Sequence, residues 1–376
     1  MSAHEAVRYR RAPHLVSYWR RADFIVSDYI SRTEIVTAPA LLDLLNFLGE
    51  WRSFHAVTRR FPDVSTQSLR RALRLLVAAN HVQRSDAVTP ARRGTLASAE
   101  WTPEPAFFHF STKDVQFVSI DGPAERRDGP PPRRQPLPVK RYRGRPSIGL
   151  EAPALNGELG GVLRARRTWR RFGSDPVSRV DLANLLGLTW GVQHWVDVPG
   201  RPRMALKTAP SGGARHSIEA YVLALRVDGL ARGLYHYAPD RHALVALKRG
   251  ASPRTVAAYL PVQEGYPHAA ALVIMTSVFD RVTARYPYPR AYRSVLVEAG
   301  HLCQTFCLLA TSLGLAPFCS MAFADSRIER DLEIDGVSEA AIYVAGVGTR
   351  PANTDWAPWT EASWPLPKRS TPRRAD

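Results

Sequence analysis

Arg166, Thr168 and Arg170 alternate within Arg166-Arg167-Thr168-Trp169-Arg170-Arg171-Phe172. Two guanidinium forks with a hydroxyl between them match the oxygens of a phosphate. The same run can also be a solvated arginine cluster. A second run, Ala209-Pro210-Ser211-Gly212-Gly213-Ala214-Arg215-His216-Ser217, is built of small residues. Such residues let a flat ligand approach the backbone, and successive exposed amides suit anionic or electron-rich groups. Taken alone, Pro-Ser-Gly-Gly is a turn; it fits neither the Walker A pattern nor G-x-G-x-x-G. The third run, Glu298-Ala299-Gly300-His301, starts a helix in which Gly300 admits a close backbone or ring. His301 is expected to pack or hydrogen-bond within that helix. Cys303 and Cys307 share a face at i, i+4. With no matched His or Cys pair they read as core residues, and no metal is expected.

These residues need a scaffold. From Leu163 to Gly348 the chain alternates helical and strand-like segments: helices over 180–190 and 290–313, strands over 217–226, 270–279 and 341–347. A hairpin joins 234–238 to 244–248 around Asp240-Arg241. Strands mixed with long helices indicate an α+β domain. Ser178 is placed to cap the helix after the arginine run.

Ahead of this lies a different pattern. Residues 1–35 mix aromatics with arginines and show no clear period. Ala40, Leu41, Leu44, Leu45 and Leu48 form one apolar stripe, and Phe54, Val57 and Phe61 a second, ended by Pro62-Asp63. Ser65 is a good N-cap for a third helix with Leu69, Ala72, Leu73, Leu75 and Leu76 facing inward. His81 to Arg84 leaves it as a strand. Three short helices and a strand predict a winged-helix-like module. Residues 86–150 are rich in Pro, Arg and Gly, which is linker chemistry. The stretch Trp101 to Ile120 interrupts them with aromatic, β-prone residues expected to dock on a domain. The expected division is therefore 1–85, a linker over 86–150, the α+β domain over 151–360 and a basic tail over 361–376.

A chain of 376 residues exceeds one ordinary domain, and its 45% hydrophobic content supports a real core. Arginine supplies most of a formal charge of +17. Such a surface attracts polyanions, though an arginine-rich genome gives the same composition. No run approaches the ~20 apolar residues of a membrane span, and the first residues lack the pattern of a secretory signal. Three cysteines make no disulfide framework. A cytoplasmic protein with no membrane partner is expected.

The three runs, in this order, resemble the nitroreductase superfamily, and within it the SagB-type peptide dehydrogenases. The most specific is Tyr292-Arg293-Ser294-Val295-Leu296-Val297-Glu298-Ala299-Gly300-His301, which matches Y-R-x-x-x-x-E-A-G-H. Gly314-Leu315 precedes the last strand as in that family, and the likeness covers about Leu163 to Arg350. The resemblance implies a nitroreductase-like FMN-binding domain, a mixed sheet packed with helices, behind the winged-helix-like module. It implies that Arg166, Thr168 and Arg170 hold the FMN phosphate and ribityl chain. Pro210, Ser211 and Gly213 would approach the flavin ring, with Arg215 a weaker candidate. Ser320, Met321, Ala322 and Phe323 would lie near its reactive edge, and Arg350 would return to the phosphate. A homodimer is implied too.

The implied reaction is oxidation of thiazoline or oxazoline rings to azoles in a ribosomally made, modified precursor peptide. A cyclase would be a further partner in a synthetase complex. One departure stands out: a Lys-Tyr pair often precedes the third motif in that family, and here it is Arg285-Tyr286. Arginine keeps its proton, so Tyr286 is expected to carry the proton chemistry, with Arg285 beside it. Other substrates remain open, among them a dehydroamino acid, a cyclic dipeptide or a nitroaromatic compound. So does a DNA-binding regulator, reading through 67–77 with Arg70, Arg71 and Arg74. The module over 37–85 is expected to recognise peptide or a protein partner rather than DNA.

Overall fold

In the computed structural model, residues 7–87, 102–115, 157–197, 199 and 203–352 are described. Most of the expected linker and all of the expected basic tail lie outside them. The chain divides into two compact units that interleave along the sequence. The first comprises Met1–Lys113, Phe279–Arg293 and Asp335–Glu339, and the second the remainder.

The aperiodic first stretch of the first unit forms four strands: β1 (Arg8–Arg11), β2 (Leu15–Arg20), β3 (Asp23–Asp28) and β4 (Thr33–Thr37). The alternation of β1 and β2 is hard to read because arginines and aromatics occupy both faces. Helices α1 (Leu41–Phe47), α2 (Phe54–Arg60) and α3 (Thr66–Ala78) follow where the apolar stripes predict them, with β5 (Arg52–Ser53) and β6 (Val82–Arg84) between and after. Two antiparallel sheets result, β5-β1-β6 and β2-β3-β4. The Ser65 hydroxyl accepts from the Ser68 amide at 3.1 Å and caps α3. Leu69, Leu73 and Leu76 enter the core with Leu44, Leu45, Leu48, Val57 and Val82. Leu75, expected inside, is 61% exposed, because it falls off the i, i+4, i+7 stripe.

The aromatic stretch also departs from expectation. Its described part is not extended but a helix, α4 (Pro103–Ser111), with proline in the first turn, where it is tolerated. Aromatic β-propensity yields here to packing. Ala106 and Phe110, i and i+4, sit in a small core with Tyr29 and Val337. Beside them His109 is buried, with Nδ1 2.9 Å from the Tyr292 hydroxyl. Burial, and then the Lys113 charge, push its pKa down to about 3. Between that value and the ordinary one the unfolded chain binds a proton that the folded chain excludes. Stability must therefore fall as pH drops from about 6.5 toward 3, by at most about 1.4 kcal/mol per pH unit. His109→Leu is expected to remove one proton from that slope in denaturant melts across the range. An unchanged slope would show that His109 does not titrate on unfolding.

The second unit is built on a six-stranded sheet in the order β11-β10-β9-β12-β14-β13. Its strands are β9 (Ile218–Ala224), β10 (Gly233–Ala238), β11 (Ala243–Arg249), β12 (Ala271–Val278), β13 (Ala316–Ser320) and β14 (Glu339–Gly348). A two-stranded ribbon, β7 (His194–Val196) and β8 (Met204–Leu206), lies apart. β9 runs antiparallel to β10 and β12, and β13 to β14. The central β12 is buried for all but its last residue, as a continuous apolar run predicts. Helices α5 (Glu158–Ala165), α6 (Arg179–Trp190), α7 (Pro253–Tyr259), α8 (Asp280–Thr283), α9 (Ala291–Ser312) and α10 (Asp325–Leu332) complete the described chain, with α8 in the first unit. Helices packed with a mixed set of strands give the expected α+β class. Ser178 caps α6 by accepting from the Asp181 amide at 2.9 Å, and Trp190 at its other end packs on Phe306 of α9.

α9 begins at Ala291, so Glu298 lies inside it and not at its start. By length and composition alone α9 is long and apolar enough to cross a membrane, though Arg293, Glu298, His301 and Gln304 interrupt it. Half of its apolar window is buried within the protein, as in a core helix.

Candidate functional site

The arginine run follows α5 without regular secondary structure of its own. Trp169 and Phe172 serve as its anchors. The Trp169 amide donates to the Pro317 carbonyl at 2.9 Å, and its ring is buried. Phe172 packs on Phe318, 5.6 Å between centroids, and against Gly348, where a Cβ would stand 2.7 Å from the Phe172 ring. The Gly173 amide closes the segment on the Thr349 carbonyl at 2.9 Å. Between the anchors, Arg166 and Thr168 are half-buried and Arg170 is exposed. Gly265 is needed here, because a Cβ on it would lie 2.1 Å from the Arg170 carbonyl oxygen. Two guanidinium groups and a hydroxyl thus belong to an anchored segment without being its anchors.

Arg350 lies against this strip, its guanidinium 5.4 Å from the Trp169 ring centre. It donates to the carbonyls of Leu315 and Thr311 at 3.2 and 3.3 Å, covering the end of α9.

Pro210 to Ser217 forms a tight turn with Gly213 at φ 61°, where a side chain would be strained. Gly212 and Gly213 are exposed and Ser211 is half-buried. The Arg215 Nε donates back to the Gly213 carbonyl at 2.9 Å, which directs its side chain along the turn. What fixes the turn is Glu298, for which the motif alone suggests no role. Its buried carboxylate accepts from the Ser211 hydroxyl at 2.8 Å, the Ser217 hydroxyl at 3.2 Å and the Ile218 amide at 3.3 Å. His301, one turn along α9, places Nδ1 3.2 Å from the Pro210 carbonyl. The acid and histidine of the third motif therefore hold the second motif in place. The signal was present as a lone carboxylate on an apolar helix, which must be paired when buried. Hydrogen bonds to charged groups contribute about 1.5–3 kcal/mol each. Glu298→Gln, which converts one acceptor into a donor, should lower unfolding stability by about 1–3 kcal/mol and loosen the turn. Denaturant melts check this, and an unchanged midpoint would mean that the clamp contributes nothing.

The segment between β13 and α10 holds the other expected ring contacts. The Ser320 hydroxyl accepts from the Ala322 amide at 3.0 Å, and Met321 is exposed. Phe323 turns into the core with Ile328 and Leu332, so it secures the segment from below.

Tyr286 and Arg285 lie in the Phe279–Arg293 strip of the first unit, between α8 and α9. Tyr286 is half-buried, with the Arg285 guanidinium 6.0 Å from its ring centre and the Tyr288 ring at 5.9 Å.

Cys303 and Cys307 are buried on α9, as core residues should be. The structure adds what spacing could not show: Cys319 of β13 brings a third thiol to the same place. Hydrogen bonds from Cys303 and then Cys307 draw the Cys319 thiol well below the ordinary range, against the effect of burial. Cys303 is displaced upward, first by its bond to Cys307.

Residues 163–349 match the Nitroreductase family. A nitroreductase-like protein of Methanocaldococcus jannaschii is 33% identical over 177 residues, which cover 47% of this chain and 85% of that protein. The chain belongs to the nitroreductase family. It is accordingly an oxidoreductase whose cofactor is FMN. The Trifolitoxin-processing protein of Rhizobium leguminosarum bv. trifolii is 33% identical over 141 residues, 36% of this chain and 38% of that one. The Microcin B17-processing protein of Escherichia coli is 27% identical over 157 residues, 39% of this chain and 56% of that one. The chain thus spans only part of the length of either peptide-processing relative. The nitroreductase match includes all three motifs and the Arg285-Tyr286 pair, but ends one residue short of Arg350.

Proposed function

We propose that this nitroreductase-family protein is an FMN-dependent dehydrogenase acting on a ribosomally made, modified peptide, converting azoline rings to azoles. The observation that carries the peptide part is the similarity to two proteins named for processing trifolitoxin and microcin B17. A cyclase as partner, and a homodimer as the working state, belong to the same reading.

The donor set suits FMN. Arg166 and Arg170 present two forks with the Thr168 hydroxyl between them, which is a phosphate-binding chemistry. The exposed glycines at 212 and 213 leave backbone open to a flat ring. When bound, FMN supplies the two-electron acceptor for hydride removal. The chain's own residues bind, orient and move a proton. Arg166, Thr168 and Arg170 hold the phosphate end, and Arg350, beside Trp169, is assigned to the phosphate with them. Pro210, Ser211 and Gly213, with Arg215, set the ring's position, and Glu298 and His301 keep that turn from shifting. Ser320 to Phe323 border the reacting side, with Phe323 anchoring and Ser320, Met321 and Ala322 available for contact. Tyr286, entering the step as the phenolate, takes the ring proton of the substrate on its oxygen and leaves as the phenol, with the positive charge of Arg285 beside it.

The first unit, in this reading, holds the peptide. On α3 the exposed Arg70, Arg71 and Arg74 offer charge, and Arg70 already stacks 4.4 Å over the Phe54 ring. Sequence-specific binding of duplex DNA by the full chain at physiological salt would replace the peptide assignment with the regulator. Binding that vanishes with added salt reports only the arginine charge.

The decisive experiment supplies a thiazoline-bearing peptide to the FMN-loaded protein and follows the mass. Loss of two hydrogens per ring is expected, with a parallel loss of the flavin's visible absorbance in the absence of oxygen. A yellow protein that leaves thiazoline and oxazoline peptides untouched but turns over another substrate would keep the oxidoreductase and sink the azoline.

A further inference from the structure

The chain has three cysteines in 376 residues, and all three converge. The sulfurs of Cys303, Cys307 and Cys319 lie within 4.8 Å of one another. Cysteines used only as small apolar filler have no reason to collect at one point. Two come from one face of α9 at i, i+4, and the third from β13, so regular structure fixes all three Cα positions. We propose that these three thiols form a binding site for a thiophilic d10 cation of the zinc class.

The geometry is close to what such an ion needs. Zinc takes thiolate sulfur at about 2.3 Å in a tetrahedron, which sets sulfur–sulfur separations near 3.8 Å. Closing from 4.8 Å or less needs side-chain rotations and no change of fold. Tyr343, from β14, is close enough to Cys319 and Cys303 for them to help push its pKa up, after burial, which puts an oxygen near the cluster. Three thiolates with a divalent ion leave one negative charge, and the Arg166 guanidinium lies near enough to act on Cys307 and Cys319. Binding would release the thiol protons and bond three sulfurs that otherwise have only weak S–H contacts. Soft thiolate donors select zinc, cadmium or copper(I) over magnesium or calcium. The ion would tie the middle of α9 to β13 and stiffen the frame that carries Glu298.

The test uses the full FMN-loaded chain, reduced with a phosphine and freed of metal by a chelator. Cadmium is added and the ultraviolet thiolate-to-cadmium band is followed. Since no other cysteine exists, any such band reports this cluster. One cadmium per chain is expected, displaced by excess zinc. Cys319→Ala should weaken binding by more than the ~100-fold that loss of an outer hydrogen-bond partner costs a metal site. Cys307→Ala provides the same test if the first variant misfolds, with retained FMN and circular dichroism as the folding check. Absence of the band in folded, reduced protein overturns the site. So does an affinity unchanged in a folded single-cysteine variant.

Discussion

Arg166→Ala combined with Arg170→Ala should yield a folded, colourless protein. Each charged hydrogen bond to phosphate contributes about 1.5–3 kcal/mol, so losing two lowers FMN affinity by about two to four decades. The fold should survive, because Trp169, Phe172 and Gly173 attach this segment to the sheet. Fluorescence titration with FMN measures the loss. Arg167→Ala is the matched control: its Nη1 donates to the Arg164 and Arg166 carbonyls at 2.9 and 2.7 Å, so it is already engaged within the chain. If the double variant binds FMN as tightly as the parent, the phosphate lies elsewhere. A double variant no weaker than Arg167→Ala would say that only bulk positive charge matters.

Tyr286→Phe is expected to keep the flavin and lose the chemistry. The substitution preserves the half-buried ring and its contact with Tyr288, and removes only the hydroxyl. General base catalysis contributes typically 10²–10⁴-fold, so the rate of flavin bleaching by a thiazoline peptide should fall by about that factor. Arg285→Lys supplies a neighbour that can lose a proton when desolvated, which arginine cannot. A faster lysine variant would mean that the arginine limits this enzyme on azolines. A phenylalanine variant working at the parental rate would leave the Tyr286-Pro287-Tyr288-Pro289 stretch as a rigid aromatic turn.

The parts most legible in the sequence were those with one dominant period. The buried strand at 271–278, the long helix α9 and the capped helices α3 and α6 came from apolar spacing and a serine. β1 and β2 were not legible, because short strands bearing arginines and aromatics on both faces lack a clean alternation, and β3 and β4 are too short to show a period of their own. α4 was misread because phenylalanine has a high strand propensity when considered without its partners. The arginine run and the small-residue turn were visible as chemistry, but what connects them was not. Glu298 was seen as part of a motif, while its role as a clamp depends on Ser211, Ser217 and Ile218, about 80 residues earlier. Cys319 was invisible as a partner for the same reason: strand pairing, not spacing, brings it to α9.

The interleaving of the two units limits how this gene can be cut. A split placed in the segment between the described residues 115 and 157 looks natural, since everything the nitroreductase match covers lies after it. It would leave Phe279, Tyr292 and Val337 behind without Ala106, His109 and Phe110, the residues they pack or bond with. The later fragment would then present a bare aromatic surface immediately before the helix that carries Glu298. Chimeras joining this catalytic half to a foreign N-terminal module should therefore be insoluble unless residues 102–113 travel with it. Because α4 also packs on Tyr29 of the earlier fragment, a boundary on either side of it strands aromatic surface.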